Sequence, residues 1–134
     1  MSNMDLNTAK NFYFTRSDML NRKHEELATT SFGFTEIFTR KNVTKYRSVL
    51  KQYYTWLYEY DEVLSKNMSL NDDNNELQPR TARANMVIIS RSVYISSIES
   101  YEKELSNIES NLNFRLTTAI AVLALVFSAV GIGK

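Results

Sequence analysis

Residues 116–133 of the chain read LTTAIAVLALVFSAVGIG, and this stretch carries no charge over 18 positions between Arg115 and Lys134. A helix of this length is about 27 Å long, and about 17–25 apolar residues are needed to span a bilayer. The stretch therefore predicts a transmembrane helix. Because only Lys134 follows it, we expect a tail anchor at 116–134 with residues 1–115 in the cytosol. The alternative is a helix buried in the core of a soluble protein or oligomer.

Small residues within the apolar stretch are spaced by 4, 3, 4 and 3 positions, which places them on one helical face. They are Thr117, Ala121, Ala124, Ser128 and Gly131. Small side chains let helix backbones approach closely inside a bilayer. This stripe predicts self-association of the membrane helix, so we expect a homo-oligomer.

Two heptad runs precede the apolar stretch and predict a helical hairpin resembling an antiparallel coiled coil. The first run contains Val43, Tyr46, Leu50, Tyr53, Leu57, Tyr60 and Leu64. The second contains Val87, Tyr94, Ile98, Tyr101, Leu105, Ile108 and Leu112, with Arg91 at a further seam position. A polar linker, Ser69 to Arg80, separates them and holds Pro79. In an antiparallel register that places Leu50 beside Tyr101, four consecutive layers each join one Tyr to one aliphatic residue.

We therefore predict an all-α fold, with helices at about 5–30, 35–68 and 81–115 before the apolar helix. The helix at 81–115 and the apolar helix can form one continuous helix because no Pro or Gly lies between Thr81 and Val130. Tyr13, Leu20 and Leu27 recur every seven residues on the first helix. That N-terminal third either covers the hairpin as a third helix, or lies at a membrane interface or docks a cytosolic protein partner.

A basic cluster begins the first heptad run and contains Arg40, Lys41, Lys45, Arg47 and Lys51. In the predicted register it lies near the start of the membrane helix, where it can attract anionic lipid. The alternatives are ion pairs with the facing glutamates, or contact with phosphate or RNA. Those glutamates are Glu99, Glu102, Glu104 and Glu109.

Polar and aromatic residues near the seam have structural and functional interpretations. Tyr53 and Tyr60 fit the core, whereas Tyr54, Trp56 and Tyr58 face outward, toward the N-terminal helix, or toward another subunit. As a platform for stacking nucleic acid bases, this run lacks a basic groove. Arg91 either pairs with Asp61 or the Tyr60 hydroxyl, or its side chain turns toward solvent.

The composition excludes several classes of function. The net charge is +1, so no nucleic acid partner is expected. The chain has no Cys and one His, which excludes thiolate and multi-His metal sites. His24 lies in the charged run RKHEE without a marked nucleophile or oriented acid. We expect no catalytic residues, no cofactor and no metal.

Two hypotheses follow. The first is a single-pass, tail-anchored membrane protein that self-associates through its helical stalk and small-residue stripe. It would act as a membrane-perturbing effector or as a membrane-bound scaffold. The second is a soluble or virion-associated structural protein whose apolar helix is buried in an oligomer core.

Overall fold

The fold is all-helical in a computed structural model that describes residues 6–67 and 77–132. Its elements are α1 (Leu6–Thr29), α2 (Glu36–Thr39), α3 (Lys41–Asn67) and α4 (Leu77–Ile132). No strand occurs within these two ranges. This confirms the all-α class and the long apolar helix at the C-terminal end. Residues 69–76 of the predicted linker and residues 133–134 lie outside the described residues.

α4 is one uninterrupted helix of 56 residues, so the second heptad run and the apolar stretch share a single axis. It begins at Leu77, inside the segment predicted as a linker. Pro79 lies in its first turn, where proline is tolerated because the N–H groups there have no intrahelical acceptor. At about 1.5 Å per residue the helix is about 84 Å long.

The helix predicted at 35–68 is divided at Arg40, which is a correction to the sequence-based boundaries. Arg40 adopts a left-handed backbone conformation, with φ of 53°, and its N–H donates to the Glu36 carbonyl. The Glu36 side chain is buried and accepts a hydrogen bond from the Val43 N–H at 2.9 Å. That carboxylate satisfies a donor in the first turn of α3 that otherwise lacks a partner.

α3 and α4 pack antiparallel, because residues later on α3 contact residues earlier on α4. Arg47 bonds Glu109, Tyr54 bonds Glu102, and Asp61 bonds Arg91. Seam residues of both runs are buried, except Tyr60, Leu64, Arg91 and Ile108, which are half-buried.

α1 runs beside α4 in the same direction. Tyr13 lies near Tyr94, Ser17 near Ser97 and His24 near Tyr101. Small buried residues stand between these two helices, and the Ser17 and Ser97 hydroxyl oxygens are 2.6 Å apart. Three helices thus enclose one core, and side chains of Ser size let α1 approach α4 closely.

Candidate membrane segment and its flanking surfaces

The apolar segment lies on α4 beyond the point where the three-helix core ends. Leu116 still packs against that core, but every described side chain from Ile120 to Gly131 is exposed. Seven large apolar side chains in this part are 51–72% exposed. Of the helices described, α4 alone is long and apolar enough to cross a membrane, by length and composition.

Hydroxyl groups at the start of the segment are satisfied within the helix. Thr117 Oγ1 donates to the Asn113 carbonyl at 3.0 Å, and Thr118 Oγ1 donates to the Phe114 carbonyl at 2.9 Å. Such bonds to the preceding turn leave no unpaired donor on these two side chains. The polar groups here are therefore compatible with an apolar environment.

The small-residue stripe (Thr117, Ala121, Ala124, Ser128 and Gly131) is exposed along its full length. The same heptad register, continued toward the start of α4, passes through Phe114, Ser110, Asn107 and Lys103 before it reaches Ser100, Ser96, Val93 and Ile89, all exposed. The last four line an open groove of about 380 Å³ beside α1. A strict heptad spacing keeps residues on one face when helices wind in a left-handed supercoil.

The basic cluster is divided by its contacts. Arg47 is bonded to Glu109, and this hydrogen bond raises the pKa of the guanidinium. Arg40 donates to the Asn113 side chain at 2.8 Å. Lys41, Lys45 and Lys51 are exposed and make no ion pair with any other residue the structure describes.

The four glutamates proposed as partners for the basic cluster have different contacts. Glu109 alone pairs with a cation of the cluster. Glu102 accepts a hydrogen bond from the Tyr54 hydroxyl at 2.7 Å, which raises the pKa of Tyr54 to about 12. A carboxylate oxygen of Glu104 is 3.9 Å from His24. The His24 side chain is half-buried beside Glu104 and Tyr101 of α4.

Arg91 joins a polar network that links all three helices of the core. Its Nε lies 3.0 Å from both carboxylate oxygens of Asp61, and its terminal nitrogen lies 2.6 Å from one of them. The buried Tyr13 hydroxyl of α1 donates to the same carboxylate. Burial and this hydrogen bond raise the pKa of Tyr13, and the hydrogen bond to Asp61 raises the pKa of Arg91.

The aromatic run contacts the N-terminal helix. The Arg16 guanidinium of α1 lies 4.0 Å from the centroid of the Trp56 ring, a cation–π geometry. Phe12 stacks on Tyr60 at 3.6 Å, whereas Tyr58 is exposed. Sequence reasoning missed Arg16, although its spacing of four residues from Phe12 on α1 places both side chains on one face.

No group of three or more His, Asp or Glu side chains within 6–67 and 77–132 is arranged to hold a metal ion. Comparison with family models, curated proteins and solved structures finds no match to this chain.

Proposed function

We propose that the chain is a single-pass membrane protein. Its three-helix core stands on the cytosolic face of a membrane, and α4 continues from that core into the bilayer. Copies associate along one face of α4.

One observation carries the membrane assignment, namely the contrast between the two parts of α4. The part from Val87 to Leu112 buries its seam, whereas the part from Ile120 onward exposes seven large apolar side chains without a charged residue. A contiguous apolar surface of this extent needs a cover other than water. A bilayer provides that cover for a helix of this length.

The charges near the segment favour a cytosolic core. Arg115 immediately precedes the segment, and Arg40 contacts Asn113 two residues earlier on α4. Lys and Arg close to a membrane helix favour the cytosolic side.

The stripe supports the proposed self-association. Copies inserted with the same orientation present Thr117 to Gly131 to each other in parallel, and the heptad register continues to Ile89 and Val93 outside the bilayer. Two consequences of assembly fit these features. The assembly either perturbs the membrane as an effector or holds a cytosolic partner as a scaffold.

Membrane insertion is tested by fractionation of the full-length chain with a carbonate wash. We expect the chain to stay in the pellet until detergent is added. Release by carbonate, or a soluble chain of high mass, would refute the membrane assignment and favour the soluble assembly with a buried apolar helix.

Self-association is tested by disulfide cross-linking, which reports only the introduced cysteine because the chain has no Cys of its own. Ala124→Cys lies on the stripe and Val126→Cys lies about 200° around the helix, so we expect faster dimer formation from Ala124→Cys. In a separate comparison, Ala124→Leu should weaken association more than the matched change Ala129→Leu. Equal cross-linking at both sites would contradict the stripe.

Leakage separates the two proposed uses. Dye release from vesicles that contain the assembled chain supports a membrane-perturbing effector. Intact vesicles with an unchanged cross-linking pattern support a scaffold.

A further inference from the structure

Three phenylalanine rings are exposed at the end of the core from which the apolar segment emerges. Phe34, Phe38 and Phe114 are 68%, 54% and 72% exposed, respectively. Phe34 and Phe38 contact each other edge to face, with their ring centroids 5.4 Å apart. The core closes without any of the three, so their packing within the chain does not explain their position.

The segment that carries two of these rings is held against α4 beside the apolar segment. The Arg115 guanidinium donates to the Phe32 carbonyl at 3.3 Å, and Arg40 donates to Asn113. Ile37 is buried between Phe34 and Phe38 along the chain. These contacts hold both rings near residues 113–115 of α4.

Cations lie near the rings, and the one acidic residue within 32–45, Glu36, points into the core. Glu36 is buried, with its carboxylate on the Val43 N–H. The nearby cations are Arg40, Lys41, Lys45 and Arg115. Their charges exceed that of Glu36, so the surface is positive as well as apolar.

The cations of the basic cluster also differ in their distance from the start of the apolar segment. The neighbours of Lys45 on α3 contact Tyr101 and Glu109 of α4, which places Lys45 about 15 Å below Leu116 and Lys51 about 25 Å below it. The Debye length is about 10 Å at 0.1 M salt. Both lysines lie beyond this distance, so Lys51 is screened from a membrane at Leu116 and Lys45 contributes only weakly. Arg47 is already paired with Glu109.

We propose that residues 32–45 together with Phe114 and Arg115 form a membrane collar that binds an anionic lipid surface. The rings of Phe34, Phe38 and Phe114 enter the headgroup region, and the cations face lipid phosphates. This inference rests on the proposed membrane insertion of α4. Aromatic rings and cations at one level are the pattern of interfacial binding.

The test uses the full-length chain in phosphatidylcholine vesicles with and without phosphatidylglycerol. A spin label is attached at Thr35→Cys, an exposed position between the two rings. Collisions of the label with oxygen report lipid, and collisions with a neutral nickel chelate report water. We expect the Thr35 label to be shielded from the nickel chelate in anionic vesicles and to regain access when phosphatidylglycerol is omitted.

Two further labels separate the collar from the membrane assignment. Leu125→Cys lies in the apolar segment, and Asp18→Cys lies on the exposed face of α1 near the level of Ser97. A Leu125 label in lipid with a Thr35 label as accessible to water as the Asp18 label would overturn the collar alone. A Leu125 label in water would overturn the membrane assignment and the collar together.

Two sets of variants then test the chemistry of the collar. Phe34→Ser with Phe38→Ser should return the Thr35 label to water, and circular dichroism checks that the helices persist. Each Lys or Arg near the surface changes binding about fivefold. Lys41→Gln with Lys45→Gln should therefore lower the shielded fraction relative to the exposed one by about fivefold, nearly all of it from Lys41, since Lys45 lies beyond the Debye length.

Lys51→Gln with Lys23→Gln is the matched control for the charge variant, since neither lysine lies on the stripe register of α4. Both lysines are exposed and lie about 20 Å or more below Leu116. We expect no change in the shielding of the Thr35 label. An equal effect of the two double variants would show dependence on total charge and overturn the collar.

Discussion

Asp61→Asn is the substitution that most directly tests how the three helices are held together. The Asp61 carboxylate of α3 accepts hydrogen bonds from Arg91 of α4 and from the buried Tyr13 hydroxyl of α1. Asparagine has nearly the same shape but removes the charge and replaces one acceptor oxygen by a donor. The substitution therefore weakens the link between the helices without creating a cavity.

The expected loss follows from the exposure of the three groups. Tyr13 is fully buried, whereas the side chains of Asp61 and Arg91 are 26% and 43% exposed. The contribution of Arg91 is reduced because solvent screens it. A hydrogen bond to a charged group contributes about 1.5–3 kcal/mol, so we expect a loss of about 2 kcal/mol in the free energy of unfolding. For a core of this size the Tm falls by about 8 °C.

Thermal unfolding of the full-length chain in a mild detergent measures this loss. Trp56 is the single tryptophan, and its contact with Arg16 makes its fluorescence report the separation of α1 from α3. The matched control is Glu62→Gln, the same chemical change one residue further along α3. Glu62 pairs with Lys66 on the exposed surface, so we expect no measurable shift in Tm.

A double-mutant cycle with Tyr13→Phe isolates the bond between α1 and α3. If the network acts as described, the two substitutions are non-additive, because each removes the same hydrogen bond. An Asp61→Asn Tm within error of the Glu62→Gln Tm would refute the role assigned to Asp61.

Three further predictions concern the core. Burial raises the pKa of three core tyrosines, Tyr13, Tyr94 and Tyr101, so the folded state holds their protons more tightly than the unfolded state. The stability of the fold is therefore complete below about pH 10 and falls as the pH rises above it, by up to about 4 kcal/mol per pH unit. A Tm unchanged between about pH 9 and pH 11 would contradict this. Ser97→Leu should force α1 from α4 at the contact with Ser17 and cost about 1–3 kcal/mol in denaturant unfolding, whereas the exposed Ser106→Leu should not. Leu57→Asp should abolish cooperative melting by circular dichroism because it buries an unpaired carboxylate; melting as cooperative as that of the exposed Thr55→Asp would remove Leu57 from the core.

Particular residues show how far the sequence could be interpreted. The spacing of Tyr13, Leu20 and Leu27 predicts a helix with one apolar face, and all three side chains are fully buried. Helical period is a local property, so the pattern is visible without knowledge of the partner. The division at Arg40 had no such signal, because no Gly or Pro lies there and the buried Glu36 contact depends on how the chain folds back.

Some residues of the candidate site could likewise be identified from the sequence, whereas others depend on the fold. The stripe from Thr117 to Gly131 is visible in the sequence, and its self-association remains a prediction. The proposed collar was only partly visible, because Phe32 contacts Arg115 and Arg40 contacts Asn113 through the fold alone. Asp61 was named as a partner for Arg91, but the contribution of Tyr13 requires α1 to lie against both helices.

The helical period, the faces that become buried and the uncharged stretch on α4 can all be inferred from the amino-acid order, because each depends on neighbours within a few turns. Contacts between distant residues account for the parallel course of α1 beside α4, the division of α2 from α3 at Arg40, and the link between three helices at Asp61. Those features depend on side-chain volume and polar contacts between residues up to 80 positions apart. Ser17 and Ser97 illustrate the reason: two helices can pack closely only where small residues face each other, and the sequence does not show which residues will face each other.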